Sequence, residues 1–206
     1  MGGLKGKMKI GFFGGTFDPP HLGHLILAVE AFYQLKLDSL HWILTPYPPH
    51  KDTLPITPVE TRLELLGLVV NEFPDFEISM IDLNRDPPHF AADTMEMLRV
   101  EYSSSHLVYL IGEDSLRDLP GWVDPGRFLM NIDQLAVAPR PQIDTDLPEL
   151  EKSLPGLMEK TVFLSGTMLQ VSSTFIRERI SEKGPFRHLL APAVADFIDK
   201  TQLYQV

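Results

Sequence analysis

Apolar positions along this chain switch repeatedly between two periods. Short apolar runs bounded by Gly, Pro and polar residues predict strands at 9–13, 40–44, 76–81, 106–111, 134–138 and 161–164. Between them, apolar residues three and four apart predict helices. Leu25, Ala28, Val29 and Phe32 mark one over 22–35, and Leu63, Leu66 and Val70 mark a second. "TPVE", Thr57 to Glu60, reads as a capping box that opens the second helix with a proline at its first position. Further helices are predicted over 92–101, from Asp124 and Pro125, from Ser172 or Ser173 to about Glu182, and over 193–201 behind Pro192. The stretch 141–160 is the least patterned and reads as a loop with a marginal helix. Alternation of this kind predicts an α/β fold: a parallel sheet with helices on both faces, formed by residues 1–206 as a single domain.

Composition narrows the chemistry. Eighteen basic against 28 acidic residues give a net charge of −10, which argues against a nucleic-acid polymer as partner. Small phosphate ligands stay open, because a few local donors suffice for them. The absence of cysteine excludes disulfides, thiol nucleophiles and Cys-ligated zinc. Neither a signal-peptide core nor a membrane-spanning run is found, so a cytoplasmic protein is expected, with residues 1–7 as an extension that need not be ordered. Nothing in the chain specifies an oligomeric state, and a homo-oligomer is compatible with it.

One stretch concentrates unusual demands: "GGTFDPPHLGH", Gly14 to His24, directly after the first predicted strand. Adjacent glycines let a backbone approach a ligand closely, and prolines set a turn ahead of a helix. His21 and His24 then share a helix face. In parallel α/β folds, ligands bind where such strand-to-helix turns gather. The glycines at 11, 14 and 15 do not make a G-x-G-x-x-G fingerprint, and no G-x-x-x-x-G-K-[ST] loop exists. What remains is a Gly-Gly turn with imidazole donors at a positive helix end, which suits a polyphosphate. Asp18, His21 and His24 as a metal set rank lower, since no further ligand stands at an obvious helical spacing.

That stretch resembles the H-x-G-H signature of the nucleotidyltransferases, in the form carried by the bacterial nicotinate-mononucleotide adenylyltransferase family. Further similar stretches follow in order: "PPHK" (Pro48 to Lys51), "IGEDSL" (Ile111 to Leu116) with Trp122 beyond it, "RP" (Arg140, Pro141) and "SSTFIRERI" (Ser172 to Ile180). The C-terminal Leu203 and Tyr204 complete the set. The resemblance implies a Rossmann-like nucleotidyltransferase fold and attack of the 5′-phosphate of nicotinate mononucleotide on the α-phosphorus of ATP. It implies catalytic roles for His21, His24 and Arg177. Gly14, Gly15, Thr16, Phe17, Lys51, Gly112, Asp114, Ser172, Ser173 and Thr174 would bind ATP and its phosphates. Thr45, Ala91, Trp122 and Arg140 would bind the mononucleotide, with the Trp122 indole on the pyridine ring. Mg²⁺ is expected on the ATP phosphates and water, with no protein ligand.

The chain also departs from the family pattern. His89, Phe90 and Ala91 stand where the family has "sYT", so the contribution of a threonine side chain near the nicotinate group is lost and the backbone N–H of Ala91 remains. Leu44 stands where proline is common, and Gln142 where glycine is usual. His50, His89 and the remaining histidines are assigned structural roles, as is Arg179. The alternatives are another H-x-G-H enzyme, either a pantetheine-phosphate adenylyltransferase or a cytidylyltransferase, and a non-catalytic nucleotide sensor. The insertion carrying "PPHK" and the tryptophan after "GEDSL" speak against the first; retention of His24 and Arg177 speaks against the second.

Overall fold

β1 (Lys9–Gly15) directs Ile10 and Phe12 to one side of a sheet and Phe13 to the other, and helices cover both sides. The computed structural model describes residues 7–47, 56–140, 143, 145–166 and 169–205. After β1 come α1 (Leu22–Leu35), β2 (Ser39–Leu44), α2 (Val59–Val70), β3 (Phe76–Ser79) and α3 (Ala91–Glu101). The second half holds β4 (His106–Gly112), α4 (Glu113–Asp118), α5 (Pro125–Met130) and β5 (Gln134–Ala138). It continues with α6 (Leu147–Ser153), α7 (Leu157–Lys160), β6 (Thr161–Phe163), α8 (Ser173–Ser181) and α9 (Pro192–Thr201).

The six strands among the described residues are all parallel, in the order β3-β2-β1-β4-β5-β6. The order reverses between β1 and β4, and a crevice opens beyond their carboxyl ends at that point. One core packs Ile10, Phe12, Tyr109 and Ile111 against Met95 of α3 and Phe128 of α5. The other packs Phe13, Trp42 and Leu110 against Ala28 and Ala31 of α1 and Leu66 of α2. A third cluster joins Leu65 to Ile176 of α8 and Val194 and Ile198 of α9, which brings the last quarter of the chain back beside the first loop. Among the described residues no helix is long and apolar enough to cross a membrane.

Several local expectations change. α1 buries Leu27, Ala28 and Ala31, while Val29 is exposed; alanines let the helix approach the sheet closely. α2 starts at Val59 and its N-cap, Pro58, makes no side-chain cap bond, so Thr57 does not form the expected capping box. The Thr57 backbone is engaged elsewhere: its N–H donates to Asp18 Oδ2 at 3.2 Å, and its carbonyl accepts from Arg62 Nε at 2.8 Å. Two short helices, α6 and α7, form in the stretch expected as a loop with one marginal helix. Asp124 and Ser172 do cap α5 and α8 through their side chains.

Candidate active site

β1 delivers Gly14 and Gly15 to the rim of the crevice, and β2 delivers Thr45, whose N–H donates to the Gly15 carbonyl at 2.9 Å. A side chain at Gly14 would collide with the hydroxyl of Tyr109 on β4. Glycine there is a steric requirement. The chain then turns, and His21 becomes the N-cap of α1 rather than a residue of its first turn. The His24 N–H donates to His21 Nδ1 and the His21 N–H donates to His24 Nδ1, both at 3.2 Å. This is a capping box built from two imidazoles. Their rings stack with centroids 3.6 Å apart and planes 16° apart.

The capping bonds settle the chemistry of both rings. An Nδ1 that accepts from a backbone N–H carries no hydrogen, so a neutral ring holds its hydrogen on Nε2. Burial, reinforced by the Arg140 charge, lowers the pKa of His21 to about 4, so it is neutral near pH 7. His21 thus presents a neutral Nε2–H at the positive end of α1, with the His24 ring stacked beside it. Beneath them, Phe17 is buried, its ring 5.1 Å from that of His24 and edge-on to it.

Two cavities lie along the carboxyl ends of the strands. The first, about 600 Å³, is lined by Gly14, Gly15, Thr16, Thr45, Ala91 and Trp122, among others. It contains all of the residues expected to bind a mononucleotide except Arg140. Trp122 is half-buried and packs on Phe128, ring centroids 5.3 Å apart. The N-cap of α3, Phe90, makes no side-chain cap bond, and Phe90 and Ala91 line the same cavity as Trp122. The second cavity, about 480 Å³, is lined by Asp114, Arg140, Ser172 and Phe175 with Ile143, Gln170 and Val171. Arg140 lies here, with Nε 3.5 Å from Asp114 Oδ1 and Nη1 donating to the Leu169 carbonyl at 3.3 Å.

α8 closes the site. Ser172 Oγ accepts from the Phe175 N–H at 3.2 Å as the helix cap, and Ser173 Oγ donates to the Pro19 carbonyl at 2.8 Å. The Ser173 hydroxyl therefore ties the helix to the histidine loop. Arg177 Nη1 donates to the Asp18 carbonyl at 2.7 Å and Nη2 to Thr174 Oγ1 at 3.3 Å. Arg179 points elsewhere, its guanidinium 4.3 Å over the Phe175 ring. Gly112 ends β4 and precedes Asp114, whose carboxylate occupies the space a side chain at 112 would need. Lys51, His50, Pro141 and Gln142 lie outside the described residues, as do residues 1–6.

Some atoms of the metal reading's side chains have protein partners. Asp18 Oδ1 accepts from the Tyr204 hydroxyl at 2.6 Å and Oδ2 from the Thr57 N–H, while both Nδ1 atoms are engaged in capping. Among the described residues no group of three His, Cys, Asp or Glu side chains could hold a metal ion.

Sequence reasoning missed several residues that shape the site. Arg62 is fully buried and donates to four carbonyls: Thr57 at 2.8 Å, Thr16 at 3.1 Å, Thr45 at 2.9 Å and Pro46 at 2.6 Å. Its signal was an arginine on the same helical face as Leu65, Leu66, Val69 and Val70. Glu113 is buried and accepts the Arg140 N–H at 2.7 Å, and Tyr109 forms part of the first cavity. Tyr204 reaches Asp18 from the far end of the chain, a contact with no local signature.

The chain is similar to known proteins. Residues 12–179 match the family described as cytidylyltransferase-like. A probable nicotinate-nucleotide adenylyltransferase of Thermomicrobium roseum is 38% identical over 197 residues, covering 96% of this chain and 92% of the relative. The nicotinate-nucleotide adenylyltransferase of Bacillus subtilis is 34% identical over 199 residues, covering 96% and 98%. Among solved structures, the Plasmodium falciparum nicotinic acid mononucleotide adenylyltransferase complexed with NaAD superposes with a TM-score of 0.77. It is 16% identical, covering 95% of this chain and 97% of that one.

Proposed function

The chain belongs to the nicotinate-nucleotide adenylyltransferase family, and from that membership we propose that it transfers the adenylyl group of ATP to nicotinate mononucleotide. The products are nicotinate adenine dinucleotide and pyrophosphate, and the reaction serves NAD biosynthesis in the cytoplasm. The observation that carries this reading is the near full-length match to nicotinate-nucleotide adenylyltransferases, together with the reciprocal capping that fixes His21 and His24 at the start of α1.

A phosphate oxygen of the mononucleotide attacks the α-phosphorus, and the bond to the β-phosphate oxygen breaks. Such transfer relies on positioning and charge stabilisation rather than on covalent chemistry by the protein. The first cavity takes the mononucleotide, with its pyridine on Trp122. The second takes the adenylyl half, beside Asp114 and Arg140. His21 and His24 donate to the reacting phosphates as charge builds on the leaving group. Neutral donors that are already oriented need no reorganisation at that moment. Arg177 and the start of α8 face the departing pyrophosphate, with the planar guanidinium as a bidentate clamp. Among the described residues no three His, Cys, Asp or Glu side chains could cage Mg²⁺, and an ion carried in on the triphosphate would neutralise phosphate charge there.

Preference for the acid form follows from the uncapped start of α3. Backbone N–H groups and the helix dipole favour a carboxylate. A carboxamide presents one acceptor and an NH₂ group that meets donors unfavourably. Incubating the purified protein with ATP, Mg²⁺ and, in turn, nicotinate mononucleotide, nicotinamide mononucleotide and phosphopantetheine tests the proposal. Pyrophosphate release with the highest kcat/KM on nicotinate mononucleotide is expected. Turnover confined to phosphopantetheine, or none with any acceptor, overturns it.

A further inference from the structure

Asp18 stands just ahead of His21, is only 3% exposed, and is held by groups from distant parts of the chain. Its Oδ2 accepts from the Thr57 N–H at 3.2 Å and its Oδ1 from the Tyr204 hydroxyl at 2.6 Å. Its backbone carbonyl accepts from Arg177 Nη1 at 2.7 Å, and the next carbonyl, of Pro19, accepts from Ser173 Oγ at 2.8 Å. The Tyr204 backbone has a φ of 65°, in the left-handed region that a bulky residue seldom adopts, and Gln202 has a φ of 54°. Such a conformation persists only where its surroundings over-determine it. Leu203 and Tyr204 pack on the cluster that joins α2, α8 and α9, and the Tyr204 hydroxyl reaches on to Asp18. Burial, followed by the Asp18 charge, pushes the phenol pKa up, so Tyr204 keeps its hydrogen and donates.

We infer that Tyr204 is a positioning residue for the reaction: through Asp18, the end of the chain holds the loop that presents His21 and the carbonyl on which Arg177 rests. The inference depends on the roles proposed above for His21 and Arg177. Only Pro19 and Pro20 separate Asp18 from His21, the cap of α1. Prolines have a fixed φ, so few soft dihedrals are left to absorb a shift of Asp18 before it reaches the imidazole. Arg177 moves with the same shift, because its Nη1 donates to the Asp18 carbonyl. The histidine and the clamp are thereby kept in one frame, and a transfer that relies on positioning loses rate when that frame moves. Asp18 and Tyr204 are not among the described residues that line the two substrate cavities. Loss of their contact therefore acts on kcat and leaves ground-state binding of the substrates largely intact.

Tyr204→Phe tests this, since it removes the hydroxyl and keeps the ring. With ATP and nicotinate mononucleotide, kcat should fall about tenfold, while the calorimetric Kd of the mononucleotide without ATP changes by less than about twofold. The imidazole nitrogen NMR signals of His21 and His24 should shift, and the Trp122 indole signal should not. Val194→Ala is the control for a merely structural loss, because Val194 is buried in the same cluster and takes no part in the Asp18 contacts. It should lower the unfolding midpoint yet leave kcat within about twofold of the wild type, both variants being assayed below their unfolding transitions. Unchanged kcat in Tyr204→Phe, equal kcat losses in the two variants, unshifted histidine signals, or a Kd that weakens as much as kcat falls would overturn the inference. A double variant with Asp18→Ala should lose no more kcat than Asp18→Ala alone, and additive losses would overturn it as well. Wild-type protein without turnover on any acceptor overturns the proposed reaction; shifted histidine signals in Tyr204→Phe would then leave the hold of Tyr204 on the loop standing.

Discussion

His21 uses its two nitrogens for different purposes, and that division makes the residue testable. Nδ1 caps α1, and in the proposed reaction Nε2–H donates to phosphate. Asparagine is a good N-cap but cannot reproduce the Nε2–H donor. His21→Asn should therefore lower kcat by roughly 100-fold while shifting the unfolding midpoint little. Nearly normal turnover in this variant would remove His21 from the chemistry. The same residue carries a pH signature. Its pKa falls from the ordinary 6.5 to about 4 in the folded protein, chiefly through burial and then through Arg140. Between those values the unfolded chain binds a proton that the native state does not. Stability contributed by this residue is fully present above pH 6.5 and is lost as pH falls toward about 4. The slope approaches ~1.4 kcal/mol per pH unit. Urea titrations at several pH values in that window should show a shallower decline for His21→Asn than for the wild type.

At the scale of one element, α8 carries two arginines whose surroundings separate their roles. Arg177 binds the Asp18 carbonyl and Thr174, facing the histidine loop. Arg179 lies over the exposed Phe175 ring and reaches the Pro185 carbonyl at 3.4 Å. Lysine keeps the charge of Arg177 but loses the planar fork, so Arg177→Lys should reduce kcat/KM for ATP by roughly tenfold or more. Arg179→Ala removes a cation–π contact worth about 0.5–1 kcal/mol and should leave kcat within about twofold of the wild type. Equal kinetic effects in the two variants would show that the clamp is not at Arg177. The helix itself was legible in advance, because Ser172 caps it with its own side chain and apolar Ile176 and Ile180 recur on one face. Its attachment to the loop at Pro19 was not, since Ser173 and Pro19 stand 154 positions apart.

Across the whole molecule, Arg62 joins segments that the chain leaves far apart. Its guanidinium holds carbonyls from the loops after β1 and β2 and from the approach to α2. Methionine has a similar reach and no donors, so Arg62→Met leaves four carbonyls without this partner. A loss of roughly 3 kcal/mol or more in urea-derived stability is expected. Thr16 and Thr45 line the first cavity, so KM for the mononucleotide should rise in the same variant. Wild-type stability with unchanged KM would show that the loops hold their positions without Arg62.

Local chemistry was written in the chain. The two hydrophobic periods mark the strands and most of the helices, and side chains such as Asp124 and Ser172 cap helices through residues three positions on. Gly14 to His24 stood out as a candidate phosphate site because its glycines end a strand and its histidines open the next helix. The strand order β3-β2-β1-β4-β5-β6 was not readable, because each pairing joins residues that no short-range pattern links. Nor was the capping role of His21, a residue type seldom used for it, or the position of Arg140 beside Asp114. Thr57 shows the physical reason most plainly. Its sequence promises a helix cap, yet Asp18 and Arg62 draw its N–H and carbonyl away once the fold brings them near. Short-range hydrogen bonds decide an element only until a buried long-range partner competes for the same atoms.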